Sequence, residues 1–284
     1  MIAYLPPIVN NNPIPMYRDF IARSFKAYGA EVVFDPAVKS YAPVMGIELE
    51  QDGKRRLAWY DYSDFKHVNR KLAKSDPPYF KIELRQADVG PGIYPIGQVV
   101  PHTIFGCGIK TTPPRQTVRD VYCMMRVTEY ENRLNCIRAI RAQKHWTVMA
   151  GLTPRPNRPT PPDDVKGLKI DQVDNYHRQH ESKICVAAPG IGEKTWRHME
   201  TLALGVCLVM PETDCIWPAD YTGCVVTCRR DWSDLPEKID WLLACPGERK
   251  QIEQAGLAYW RQWCSPKATA RLIVEKTMEE RGND

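Results

Sequence analysis

The chain has 284 residues, 43% of them hydrophobic and 26% charged, and a formal charge of +5. That size and balance suit a folded soluble protein of two modest α/β domains or one large one. No apolar run is long enough to span a membrane, and the opening MIAYLPPIVNNNPIP lacks the basic start and long apolar core of a signal peptide, so the expected location is the cytoplasm.

The predicted elements begin with a short apolar strand at 2–5 and a loop rich in proline and asparagine at 6–15. A helix follows over 16–28, with Phe20, Ile21 and Phe25 at helical spacing and Gly29 as its stop. A second strand at 31–34 completes a βαβ opening. Residues 47–57 contain Gln51-Asp52-Gly53, a hairpin-like turn signal. Strands are predicted at 57–60, ending at Asp61, and at 78–84. A turn-rich stretch runs to Pro101, and Thr-Thr-Pro-Pro-Arg at 111–115 reads as a linker.

Beyond it the pattern is regular. Strands are predicted at 120–125, 146–150, 183–188 and 206–210, with another containing Val225-Val226. Helices are predicted at 129–143, 171–181, 195–204, 236–244, 248–263 and 267–280, and a proline-rich loop at 153–162. Strands alternating with helices argue for parallel, doubly wound sheets. The resulting domains are 1–115, 116–270 and a C-terminal helix and tail at 271–284 that crosses back to the first.

Ten cysteines are present, most in apolar surroundings such as Val-Tyr-Cys123-Met and Gly-Val-Cys207-Leu. They are expected to be structural free thiols. Cys224 and Cys228 have no second Cys or His pair at zinc spacing nearby, so no metal site and no cofactor is expected. The basic excess is mild and spread out. It fits an enzyme of phosphorylated donors, and no Lys/Arg block or zinc-finger pattern marks a dedicated nucleic-acid reader.

The informative segment is KICVAAPGIGEKTWRHMETLALGVCLVMP at 183–211. A strand runs into a loop with Gly190 and Gly192, and the loop opens a helix. Backbone N–H groups and the dipole at such a helix head favour phosphate. Lys194 and Arg197 add positive charge, Thr195 is a hydroxyl donor or cap, and Glu200 could accept both hydroxyls of a ribose. Two glycines alone do not make a dinucleotide fingerprint, so the same segment also reads as one βαβ unit of any doubly wound protein.

The run Gly192, Arg197, Glu200, Ala203, Gly205 resembles the donor-site signature of GT-B glycosyltransferases, in particular CgeB-like and exostosin-like members. Asp120 to Gly151 resembles the opening strand, helix and strand of their C-terminal domain, and the similarity covers roughly half the chain. The resemblance implies two Rossmann-like domains with a donor site in the cleft between them, and metal-independent transfer from a nucleotide-sugar co-substrate, with UDP the expected nucleotide. Glu200 would hold the ribose. Arg126, Arg133, Lys194 and Arg197 are the diphosphate candidates, with Asp214 as a sugar-hydroxyl contact. Many retaining members carry a second Glu at the position that is Gly192 here, so the helix leaves inversion or retention open.

An inverting reaction also needs a base for the acceptor hydroxyl. Asp61 is the first candidate because it ends a predicted strand; Asp64 and His102 follow. Trp59, Tyr60, Tyr62 and Phe65 cluster near Asp61 and could stack on a ring, or serve as core. The acceptor stays open among a surface polysaccharide, a small molecule, a protein and a hydroxymethylated DNA base, which some phage enzymes of GT-B architecture glucosylate. A DNA partner would require base flipping. The alternative to an enzyme is a non-catalytic nucleotide-binding module. Oligomeric state is not legible.

Overall fold

The computed structural model describes residues 1–9, 14–100, 103–109, 115–128 and 130–279. It divides into two compact units. The first comprises Met1–Pro101, Asp214–Asp220 and Arg261–Asp284; the second comprises His102–Thr213 and Tyr221–Trp260. The expected linker at 111–115 falls outside the described residues except for Arg115.

Unit 1 runs β1 (Ile2–Leu5), α1 (Pro15–Tyr28), β2 (Glu31–Phe34), β3 (Ser40–Tyr41), β4 (Val44–Gln51), β5 (Lys54–Asp61), α2 (Arg70–Ala73), β6 (Tyr79–Lys81) and β7 (Ile93–Pro95). Helix α1 starts on a proline, buries Phe20, Ile21 and Phe25, and stops at Gly29. Gly29 sits at φ 99°, where its N–H reaches the carbonyls of Phe25 and Lys26.

The sheet of unit 1 has the order β2-β1-β4-β5-β6-β7, with β3 on β4. It is parallel at β1–β2 and along β5–β6–β7, as the alternating pattern predicts. Its centre is not: β1–β4 and β4–β5 are antiparallel. The cause is local. Asp52 and Gly53 both take positive φ, 54° and 74°, the two-residue turn whose twist suits a hairpin. That turn locks β4 and β5 in register from Gln51↔Lys54 to Val44↔Asp61. The strand expected at 78–84 pairs in the sheet only over β6; past it, Leu84 accepts from the Ile216 N–H at 2.7 Å and Arg85 bridges Cys215.

The C-terminal helix, Pro266–Met278, packs on α1 and against β5. Arg56 of β5 donates to the carbonyls of Thr277, Met278 and Glu279, supplying partners that a helix end lacks.

Unit 2 runs α3 (Thr103–Gly106), β8 (Arg119–Arg126), α4 (Tyr130–Arg141), β9 (Val148–Thr153), α5 (Gln172–His180), β10 (Ser182–Val186), α6 (Trp196–Ala203), β11 (Cys207–Pro211), β12 (Val226–Cys228), α7 (Leu235–Ala244) and α8 (Pro246–Tyr259). All neighbours in its sheet are parallel, in the order β12-β11-β10-β8-β9. Strands covered on both faces read as continuous apolar runs. Val121, Cys123, Ile184, Val186, Cys207 and Val209 form the core with Ile137 and Ile140 of α4 and Ile239 and Leu242 of α7. Six of the ten free cysteines — 123, 136, 185, 207, 228 in this unit and 264 in unit 1 — are fully buried, and burial pushes the Cys185 and Cys228 thiols up to about 12.

The strand order has a consequence for function. The chain enters at β8, steps to one side for β9, and crosses to the other for β10. The connections leaving β8 and β10 therefore diverge at their carboxyl ends. In open α/β sheets that reversal point is where a crevice for ligands opens. Among the described residues, no helix is long and apolar enough to cross a membrane, and no three His, Cys, Asp or Glu side chains form a metal-holding group.

Candidate functional site

The two connections at the reversal point are tied together by Arg133 of α4. Its Nε donates to the Pro189 carbonyl at 2.7 Å, and its terminal nitrogens reach the carbonyls of Arg126, at the end of β8, and Ala188, just past β10. The guanidinium is buried and engaged by backbone on both sides of the crevice. Expected as a diphosphate ligand, it acts here as a brace for the strand ends. A side chain at Gly190 would crowd the same brace. A Cβ there would stand 3.0 Å from an Arg133 nitrogen and 3.3 Å from the Thr195 methyl. The loop turns tightly, with the Gly190 N–H donating to the Gly192 carbonyl at 2.8 Å.

Thr195 is the N-cap of α6. Its N–H donates to Nδ1 of His198, three residues on, at 3.0 Å, and its hydroxyl oxygen lies 3.0 Å from the same nitrogen. This is the geometry of a capping box, with imidazole in the place usually held by Glu or Gln. A nitrogen that accepts carries no proton, so the ring is neutral and protonated at Nε2. Burial holds its pKa down to about 3, helped by the positive charges of Arg133, Arg197 and Lys194. Lys194 is itself buried.

Glu200 and Arg197 face α5. Arg197 reaches Oδ1 of Asn175 at 3.3 Å, stands over the Tyr122 ring at 5.4 Å, and has its Nε 3.5 Å from Oε2 of Glu200. Glu200 is 4% exposed; Oε2 also accepts from Gln179 at 3.3 Å. Burial raises its pKa, against the pull of Arg197 and Gln179. Gln179 in turn accepts from the Thr201 hydroxyl at 3.1 Å. The carboxylate expected to hold a ribose is thus half spent on a helix–helix contact, with only Oε1 left over. Nη1 of Arg197 is buried with no hydrogen-bond partner among the described residues.

Arg126 closes β8 beside Thr153 and is exposed. Its side chain makes no hydrogen bond or ion pair among the described residues. Glu193, beside Lys194, accepts from the Thr213 hydroxyl and lies 3.9 Å from Arg230. The structure therefore gathers Arg126, Arg133, Gly190, Gly192, Lys194, Thr195 and Arg197 around one loop. Asp214 belongs to unit 1 instead, on the segment that pairs with Leu84 and Arg85.

In unit 1 the expected base is deeply committed. Asp61 is 2% exposed at the end of β5. Oδ1 accepts from the N–H and hydroxyl of Ser63, at 2.9 and 2.7 Å; Oδ2 accepts from the Tyr79 hydroxyl and pairs with Lys81 at 3.1 Å. Lys81, fully buried, donates also to the Ser63 hydroxyl at 2.7 Å and to its carbonyl at 3.3 Å. Burial lowers the Lys81 pKa and Asp61 raises it; burial and the Asp61 charge both raise that of Tyr79. With every donor around it used, Asp61 has no open lone pair for a substrate proton in this geometry. Asp64, on the loop that follows, is half-buried. His102 lies outside the described residues. Of the aromatic cluster, Trp59, Tyr60 and Tyr62 are core, Tyr62 stacking on Tyr17 at 4.7 Å, while Phe65 is 64% exposed.

Three residues escaped the sequence reading. Lys81 and its buried neighbour Glu83 alternate with apolar residues in Tyr79-Phe80-Lys81-Ile82-Glu83-Leu84, a pattern that looks like one solvated face. His198 stands three residues after a threonine that opens a helix, which is the signal for a capping box when imidazole is admitted as the acceptor.

No family model and no curated protein matches the chain. Solved structures do. A glycosyltransferase from Rickettsia africae ESF-5 is 13% identical with a TM-score of 0.47, over 96% of this chain and 84% of that one. The C-terminal domain of LpcC, a glycosyl transferase group 1 family protein from Francisella tularensis, is 15% identical with a TM-score of 0.38, over 52% and 86%. A co-structure of S. aureus MnaA with UDP is 10% identical with a TM-score of 0.44, over 70% and 67%. At these identities no residue of theirs is carried across.

Proposed function

We propose that this chain is a GT-B glycosyltransferase whose unit 2 binds a nucleoside diphosphate sugar at the carboxyl ends of β8 and β10. The observation that carries the reading is the braced loop 187–195, with Lys194 on it and Arg126 and Arg133 beside it, at the reversal point of a parallel sheet. A diphosphate suits it. The first N–H groups of α6 lack intrahelical acceptors, and Arg126 offers an unpaired guanidinium.

In the reaction the bond from the sugar's anomeric carbon to the diphosphate oxygen breaks, and its electron pair leaves on the diphosphate. The acceptor oxygen bonds the same carbon and gives its proton to a base. Fixed cations stabilise the leaving group as charge develops on it. Glu200 would take a ribose hydroxyl through Oε1. Asp64, rather than Asp61, is the carboxylate to test as base.

The test is a thermal-shift screen with UDP, GDP, ADP and their sugars. Stabilisation by one that is lost in Glu200→Ala supports the reading; stabilisation by none sinks it. Donor turnover is then followed with a glycan, a small alcohol or hydroxymethylated DNA as acceptor. The saturation of Asp61 favours one second reading, a nucleotide-binding module without transfer. Nucleotide binding with no turnover on any acceptor, unchanged by Asp64→Asn, would establish it.

A further inference from the structure

The proline-rich loop that follows β9 plays no part in the donor site. Its base is fixed. Residues 165–167 return alongside β9, where the Leu152 N–H donates to the Val165 carbonyl and the Gly167 N–H to the Leu152 carbonyl, both at 2.8 Å. Arg141 clamps the return by donating to the carbonyls of Asp164 and Lys166. The tip is shaped as tightly. The Arg158 N–H donates to the Arg155 carbonyl at 3.2 Å, closing a turn with Pro156 at its second position and Asn157, at φ 59°, at its third. Proline followed by a left-handed asparagine is the type II combination, and it brings the first and last Cα atoms within about 7 Å. Both of those residues are arginines, and Pro154 and Pro159 stiffen the chain on either side.

Residues 154–160 are all exposed. Neither Arg155 nor Arg158 has a side-chain hydrogen bond or ion pair among the described residues, and nor has Lys166, exposed on the return. Asp164 is held by Arg138 at 2.8 Å, which leaves Asp163 against Arg155, Arg158 and Lys166. Two guanidinium groups side by side without a counter-ion repel, and an anion between them removes the repulsion. Their planar forks fit phosphate. Residues 154–160 contain no aromatic ring to stack on a sugar or a base, and no carboxylate to accept sugar hydroxyls. That chemistry suits a phosphate backbone held without reading of its bases.

We propose that the Arg155–Arg158 turn is a docking surface for the backbone of duplex DNA, with the two guanidinium groups on its phosphates and Lys166 beside them. The surface needs no nucleotide sugar to bind. Its link to transfer, with DNA as the acceptor, rests on the glycosyltransferase reading.

Binding of a short DNA duplex is followed by fluorescence anisotropy over a range of salt. Wild type is compared with Arg155→Gln/Arg158→Gln and with Lys144→Gln/Lys250→Gln, which removes the same charge from exposed positions elsewhere. Each phosphate neutralised adds about 0.9 to the slope of log Kobs on log salt. The arginine variant should lower that slope by about 2 and bind about tenfold or more weakly at low salt. Its melting temperature should not move, since neither side chain has a partner to lose. The lysine variant should keep the wild-type slope. Equal losses in the two variants would reduce the effect to net charge and overturn the proposal, as would no binding by wild type at low salt. A sulfated glycan bound as tightly as the duplex would overturn the assignment to DNA. The thermal shift with UDP, recorded on the same three proteins, should be equal in all of them, so the donor site and the DNA surface stand or fall separately.

Discussion

Two buried polar clusters sit at the carboxyl ends of parallel strands, one in each unit, and they are built to opposite rules. In unit 1 the Asp61–Lys81 pair is closed. Both carboxylate oxygens and the ammonium have partners supplied by Ser63 and Tyr79. In unit 2 the head of α6 gathers several cations around one neutral ring. Its imidazole is neutral, its neighbours are cationic, and Arg197 Nε lies 3.5 Å from the Glu200 carboxylate. Buried charge is tolerated in the first case because a carboxylate and an ammonium pair directly, and in the second because Arg133 is held by backbone carbonyls and Arg197 by Asn175 and Glu200. Strand-end position alone, which singled out Asp61, does not tell these cases apart.

The comparison breaks most visibly at Lys81. Lys81→Met strands a buried carboxylate and should lower stability by about 3–5 kcal/mol, read from urea unfolding. Adding Asp61→Asn should restore a good part. A Lys81→Met protein as stable as wild type would mean that the pair is not closed. Arg133→Met removes three contacts to backbone carbonyls and should cost about 2–4 kcal/mol, since those acceptors stay buried. It should also weaken nucleotide binding, whereas Lys81→Met at a temperature where it is folded should leave binding alone.

The pKa of His198 in the folded chain is about 3, below the unfolded value near 6.5, so the unfolded chain takes up a proton first as pH falls. Stability from this group is complete above about pH 6.5 and is lost on acidification toward 3, by about 1.4 kcal/mol per unit. Carboxylates contribute their own slope, so the quantity to compare is wild type against His198→Gln between pH 7 and 5. The variant should lose about 2 kcal/mol less over that range. Parallel curves would show that the imidazole is not held neutral by the fold. The smallest effect is expected at Arg126. Arg126→Ala should change stability by less than about 0.5 kcal/mol. It should weaken diphosphate binding about fivefold at low salt and less at high salt.

Much of unit 2 was readable because its signals are local. Apolar runs separated by helical periods mark a parallel sheet, and a glycine loop entering a helix marks the strand–loop–helix at β10 and α6. The candidate residues on that loop, Gly190 to Arg197, follow from their neighbours in the chain. Unit 1 was read less well. Its antiparallel centre depends on the left-handed conformation of Asp52 and Gly53, a hairpin signal visible in the sequence whose effect on sheet direction appears only with β1 and β4 paired.

By itself, then, the order of residues determined two α/β units, the parallel sheet of the second, and a glycine loop that opens α6. Short-range periodicity and turn chemistry are enough for those. Tertiary structure decided what each charge is for. Asp61 became a counter-ion because β6 brings Lys81 beside it. Arg133 became a brace because α4 lays it across two strand ends, and Glu200 turned toward α5 because Gln179 meets it there. A charged side chain is defined by its partners, and in each of these cases at least one partner comes from a distant element that no local pattern names.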